Sequence, residues 1–287
     1  MSQITVKKLP KFEVEISLKI PWGEIKKSYD LITQDLLKQV QVKGFRKGKA
    51  PQKIAEEKLD KNQIYSLVIQ EILPKYYEQS IKENNLNPIV NPRISLVSAR
   101  QNQDWEVKIL ICEKPAVDLN HYQEEISKLN REGKIWVPGK GEGEKDKEEG
   151  QKNREERIQK IIKWLIDNLK LEISPILIEE EVNRKLSQLL EQTQKLGITI
   201  DQYSTSVGKT TEQIKSEYRQ QAEEMWKLEL VLNQISDEAK IVVEDQEIEA
   251  FIEKAGSEEE KKSLIAQKYV LASLVRRQKT LDFLVNL

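Results

Sequence analysis

Residues 139–157, GKGEGEKDKEEGQKNREER, contain four glycines and no large apolar side chain. Such a run cannot bury enough surface to offset the entropy of ordering it. It forbids one continuous core and predicts a flexible linker leading into a charged helix start, with a folded body on either side. At 287 residues the chain is long enough for two such bodies. Before this stretch strand-like and helical periods alternate; after it the pattern is helical.

Before the linker, KFEVEISLKI (11–20) sets Phe12, Val14, Ile16, Leu18 and Ile20 against Glu13, Glu15, Ser17 and Lys19. That is the alternation of a strand with one wet face. WEVKILICE (105–113) repeats it through Trp105, Val107, Ile109 and Ile111, and PRISLVSAR (92–100) supplies a third strand. A short turn containing NQ joins the last two, which predicts an antiparallel hairpin. Between the first strand and that hairpin, Ile25, Tyr29, Ile32, Leu36 and Val40 recur at helical spacing after Pro21, a residue suited to a first helical turn. A second helical stretch covers about 52–84, with a stripe of Ile64, Leu67, Val68, Ile72 and Tyr76. Pro74 is expected to kink or divide it.

After the linker the pattern is helical throughout. Ile158, Ile161, Ile162, Leu165, Ile166 and Leu169 form one apolar face. A second helix runs from Ile178 through Val182, Leu186 and Leu189 to Leu196 and stops at Gly197. Thr210 with Gln213 forms a capping box for a long helix carrying Ile214, Tyr218, Met225, Leu228, Leu232 and Ile235. Asp245 is placed to cap a short helix with Ile248, Phe251 and Ile252. Ser257 with Glu260 opens a last helix that reaches Leu287. No repeat of 33 to 47 residues is present. The expected organisation is an α+β domain over 1–118, a linker over 119–150, and an all-α domain of four or five amphipathic helices over 151–287.

Composition excludes several functions. Lys+Arg 47 against Asp+Glu 48 leaves no global pull toward nucleic acid or membrane. Cys112 is the only cysteine, so an internal disulfide is ruled out and a reducing compartment fits. The first residues, MSQITVKKLP, lack the apolar core of a secretory signal, and no apolar run nears ~20 residues. These features predict a soluble, cytoplasmic protein that does not enter a membrane. VGKTT fails as a phosphate loop because the first glycine of that motif would fall at Tyr203. GFRKGKA fails too, with too few residues between its glycines and Ala50 where a Ser or Thr would hold magnesium. His121 is the only histidine, so neither a two-histidine metal site nor a Ser–His arrangement can be built. Cys112 reads as a packed thiol without a base, and the many acid pairs read as wet helix surface. No metal, catalytic residue or cofactor is assigned.

One stretch remains unexplained by folding alone. Residues 38–53 hold Lys38, Lys43, Arg46, Lys47, Lys49 and Lys53 and no acid. Within them, GFRKGKAP (44–51) sets Phe45 among cations, with glycines for a tight turn and Pro51 to start the next helix. A basic tip with one aromatic ring suits a polyanion flanked by an apolar pocket. An ordinary basic loop with Phe45 folded back on the core is the competing interpretation.

GFRKGKAP resembles the ribosome-binding signature of the bacterial trigger factor family. IPWGEI, EILPKYYEQSIKENNLNPIVNPRI and CEKPAVDLNHY resemble the same family's N-terminal domain. ISPILIEEEVNRKLSQLLEQ, GITIDQYSTSVGKTTEQIKSEYRQQAE, KLELVLNQIS and RRQKTLDFLV resemble its helical domain, in the family's order. The resemblance implies a ribosome-docking tip made of Gly44, Phe45, Arg46, Lys47, Gly48, Lys49 and Pro51, with Ala50 where a Val is common. Its implied partners are a protein and ribosomal RNA at the tunnel exit, together with unfolded or nascent polypeptides, and it leaves room for a homodimer. It also implies an elongated fold in which helical arms form a cradle for clients. Members of the family usually carry a prolyl isomerase domain of roughly a hundred residues between the two halves. Residues 119–157 are too few and too polar to form one, so the chain is expected to be an ATP-independent holdase and not an enzyme. An isomerase with an unrecognised site, or a helical adaptor for one folded partner, are the rival functions.

Overall fold

The computed structural model describes residues 3–41, 45, 51–56, 58–132, 144–253 and 257–287. It divides into two compact units, 1–114 and 115–287.

The first unit is built on an antiparallel sheet of four strands, β1 (Gln3–Lys8), β2 (Glu13–Ile20), β3 (Arg93–Ser98) and β4 (Trp105–Cys112), in the order β1-β2-β4-β3. The alternation read from the sequence sets the register. Ile16 lies opposite Ile109 and Leu18 opposite Val107, so the apolar positions of the two central strands share one face. Helices α1 (Trp22–Gln39), α2 (Gln52–Glu56) and α3 (Lys61–Glu83) complete the unit. Ile25, Ile64, Val68, Ile72 and Tyr76 bury against that face with Val14, Ile16, Leu18, Val107, Ile109 and Ile111. Tyr29, Tyr65 and Trp105 meet in series, one ring pair tilted and the other edge-to-face, with centroids 5.1 and 5.3 Å apart, and tie α1 to α3 and the sheet.

Three local features depart from expectation. Phe12 is not the first strand residue. It and Lys11 adopt φ of 61° and 60° in the turn from β1 to β2, and the strand starts at Glu13. Pro74 does not divide its helix, because α3 is continuous from Lys61 to Glu83. Proline removes a single backbone bond there, while Ile72, Leu73 and Tyr76 anchor both sides of it in the core. The break comes earlier, where Asp60 accepts from the Asn62 N–H at 2.9 Å and caps α3. Pro21 leaves α1 without a side-chain cap of its own, and Asp104 from the β3–β4 turn accepts the Trp22 N–H at 3.0 Å instead.

The second unit is helical among its described residues: α4 (Tyr122–Glu132), α5 (Glu144–Asn168), α6 (Pro175–Lys195), α7 (Ile200–Ser206), α8 (Thr211–Glu238), α9 (Asp245–Glu253), α10 (Glu258–Ala266) and α11 (Lys268–Val285). Part of the stretch expected as linker is therefore α4. Its Tyr122 and Ile126 are buried, it packs on α5 and α11, and its Asn130 amide donates to the Leu284 carbonyl at 2.9 Å. Burial raises the Tyr122 phenol above its ordinary pKa. The last helix is not continuous either, being interrupted at Gln267; nothing in the local sequence explains the break.

Cap chemistry fixes the helix ends. Ser174 caps α6, and reciprocal boxes, Thr199 with Gln202 and Thr210 with Gln213, open α7 and α8. Gly197 closes α6 at φ +70°, with the Ile198 N–H returning to the Thr193 carbonyl at 3.0 Å. A Cβ at Gly197 would meet nothing within 4 Å, so Gly197→Ala carries only the left-handed backbone cost of about 1 kcal/mol. Melting followed by circular dichroism should show the helical transition shifted down by about 2–4 °C; an unchanged midpoint would contradict this C-cap. No helix among the described residues is long and apolar enough to cross a membrane.

Candidate functional site

The basic segment leaves α1 at Val40 and re-enters helix at Pro51, whose carbonyl accepts the Ile54 and Ala55 N–H groups at 3.0 and 3.1 Å. Proline needs no partner for a missing N–H at that position, which is why it can start α2. Phe45 is 43% exposed, so its ring is not packed in the core. Gly44, Arg46, Lys47, Gly48 and Lys49 lie outside the described residues. At the α1 end the positive charge is less concentrated than the sequence implies, since Lys38 pairs with Asp35 at 2.7 Å. Both groups are well exposed, so the pair contributes little energy. Over the whole first unit, 20 Lys+Arg stand against 14 Asp+Glu, a net +6, while the second unit carries 27 against 34, a net −7. The overall neutrality of the chain therefore hides two units of opposite sign.

A second surface lies in the helical unit, where α9 crosses α11. Ala250, Phe251, Leu271, Leu274, Val275 and Leu281 line a groove of about 510 Å³. Phe251 is 48% and Leu274 53% exposed, and Val270 and Tyr269 continue the apolar strip along α11. One rim is fixed by Lys279, which donates to both Glu247 oxygens at 2.8 and 2.9 Å. Hydrogen bonds from Lys279 and from the Glu244 backbone hold the Glu247 carboxyl below its usual pKa. Smaller apolar exposures, Leu190, Leu196 and Val207, occur on and around α6 and α7. Half-exposed apolar side chains gathered around one groove make it a candidate contact surface for another molecule. From the sequence only Phe251 and Leu196 of these were named, as helix-face residues and not as a surface, yet a signal existed: Tyr269, Val270, Leu271, Leu274 and Val275 span more of the helix circumference than one packing face requires.

Among the described residues no group of three His, Cys, Asp or Glu could hold a metal. Cys112 is buried, with its thiol directed at the Glu113 carbonyl at 3.4 Å, and His121 is exposed.

Residues 2–133 match the family profile described as bacterial trigger factor protein, and residues 141–286 match that for the trigger factor C-terminus. Trigger factor of Carboxydothermus hydrogenoformans is 24% identical over 421 aligned positions, covering 99% of both chains. That alignment exceeds this chain by more than a hundred positions. Trigger factor of Moorella thermoacetica is 33% identical over 117 residues, covering 41% of this chain and 26% of that protein. A solved structure from work on the trigger factor chaperone superposes with a TM-score of 0.64 at 15% identity, over 98% of this chain and 99% of that one, which supports the fold. Only residues 134–140 separate the two profile matches, and they fall between α4 and α5, two helices that pack on each other and on α11. The chain belongs to the bacterial trigger factor family, with that family's N-terminal and C-terminal parts joined directly and no central prolyl isomerase domain between them.

Proposed function

We propose that this chain is an ATP-independent holdase that docks beside the ribosomal exit tunnel, shields unfolded or nascent polypeptides there, and does not isomerise prolyl bonds. Family and fold make it a chaperone. The finer statement rests on one observation above all: an exposed Phe45 in a cationic segment of a unit with net charge +6, in the same chain as an open apolar groove. In this reading Gly44, Phe45, Arg46, Lys47, Gly48, Lys49 and Pro51 form the docking tip. Cations meet ribosomal RNA phosphates and the ring enters a pocket on the neighbouring protein. The groove on α9 and α11 and the apolar exposures on α6 and α7 take client segments weakly, each at about 25 cal/mol per Å² covered. Summed over several contacts, such binding is promiscuous and quickly reversible, and release follows when the client buries its own apolar surface.

The test is a light-scattering assay. A chemically denatured enzyme is diluted into buffer with this protein, with and without ATP, alongside a proline-limited refolding assay. Suppressed aggregation independent of ATP, with refolding at the spontaneous rate, is the expected result. Accelerated refolding would reinstate an isomerase. Failure to hold several unrelated clients, with tight binding of one folded partner, would favour an adaptor.

A further inference from the structure

The edge of the sheet formed by β3 is short and bulged, but it carries no lysine and exposes apolar side chains. Natural edges are blunted by lysines, inward charges or prolines, but Ile94, Leu96 and Val97 are 50%, 46% and 54% exposed along six residues. Ile94 and Leu96 pair with Ile109 and Val107 of β4, so they belong to the core-facing side of the sheet. The helices bury Ile109 and Val107 and leave their β3 neighbours half open. A register shift between Leu96 and Ser98 makes Val97 an extra residue, and it lines a shallow groove with Thr5, Ser17, Glu106 and Lys108. β3 is thus a strand with apolar side chains in reach on both faces and a backbone edge that pairs with β4 on one side only.

Glu106 lies opposite Ser98 at one end of the strand, but the charge along the chain segment that carries β3 favours an acidic occupant. From Asn84 to Gln103 there is no Asp or Glu, while Arg93 starts the strand and Arg100 follows it. The seam is about 20 Å long and the bulge shortens its regular part, so alone it falls well short of the ~1,000 Å² that a stable dimer buries. It fits a short, transient guest better than a second copy of the chain. We propose that the β3 edge binds extended segments of unfolded polypeptide by strand addition, favouring alternating apolar side chains flanked by carboxylates. This rests on the chaperone reading above and adds a second client surface, in the basic unit, with the opposite charge preference to the acidic helical unit.

Three fluorescent twelve-residue peptides test it on the full chain by anisotropy. One has an alternating Val/Thr centre with Asp at both ends, one has the same centre with Lys ends, and one has the Asp ends with the centre sorted into a Val block and a Thr block. The Asp-flanked alternating peptide should bind at least tenfold tighter than either other. Leu96→Lys should weaken it at least tenfold with an unchanged circular dichroism spectrum. Hydrogen exchange on the wild type, which needs no variant, should show added protection confined to 93–98. Equal affinity for all three peptides, no effect of Leu96→Lys, or no protection of β3 would overturn strand addition. A concentration-dependent dimer abolished by Leu96→Lys would overturn it as well, giving the edge to a second copy. Aggregation suppression measured in parallel keeps the outcomes apart: if it survives while peptide binding fails, only strand addition is lost; if both fail, the chaperone reading fails with it.

Discussion

Replacing two groove side chains together, Phe251→Asp/Leu274→Asp, should raise the concentration of this protein needed to keep a denatured client soluble at least tenfold. Both side chains line the groove between α9 and α11 and are about half exposed. If a client covers roughly 80 Å² on each, the lost apolar burial comes to about 4 kcal/mol at 25 cal/mol per Å². The new carboxylates add the cost of desolvating charge against an apolar segment. Other apolar contacts would absorb part of the loss, so tenfold is the lower bound expected. Half of each side chain is buried and Asp is a poor helix residue, so the double variant should also lose about 2–4 kcal/mol of stability and is compared under conditions where circular dichroism shows it folded. Unchanged aggregation suppression by the folded double variant would remove the groove from the client surface and leave α6 and α7 to carry it.

The second large effect is on docking. Phe45→Ala/Arg46→Ala/Lys47→Ala should reduce cosedimentation with ribosomes at least tenfold at low salt. Salt dependence separates the two kinds of contact. If Arg46 and Lys47 meet phosphates, the slope of log affinity against log salt should become shallower by roughly 1.5 in the variant. A Phe45→Ala single variant should lose affinity with the slope unchanged. If the triple variant pellets as well as the wild type, the docking assignment fails. A wild-type affinity insensitive to salt would separately deny the phosphate contribution.

What the sequence disclosed and what it hid have physical causes. The central strands were legible because Val14, Ile16, Leu18 and Ile20 alternate with polar residues over a full strand length, and burial follows that alternation residue by residue. Capping boxes gave the start of α8 correctly, since Thr210 and Gln213 satisfy each other's backbone groups without tertiary help. β1 was not seen: Gln3–Lys8 is short and holds Ile4 and Val6 among polar residues, and it becomes a strand by pairing with β2. The helix α4 was hidden for a related reason. Its Tyr122, Ile126 and Asn130 make a narrow face beside a polar stretch, and what fixes it is packing on α11, more than 150 residues away in the chain. Of the candidate site, the run of glycines, cations and a proline left an exposed Phe45 and one folded back on the core as alternatives, and the 43% exposure of Phe45 favours the first. The α9–α11 groove could not be anticipated, because a stripe of apolar residues looks the same in sequence whether a neighbour covers it or not.

The absence of a central domain is also intelligible. The junction falls between α4 and α5, which pack on each other and on α11. A domain placed there in a relative would hang from two helices already held by one core, so its removal costs that core little.

The most direct test of the central claim, that one molecule grips the ribosome and the emerging chain together, is a comparison of affinities. The full chain is titrated onto vacant ribosomes and onto ribosomes stalled with a long, unfolded, apolar nascent segment. Two linked contacts should give at least tenfold tighter binding to the loaded particles. The groove variant should fall to the level of vacant ribosomes, and the loop variant should lose affinity for both. Equal affinity of the wild-type chain for loaded and vacant ribosomes would contradict the account.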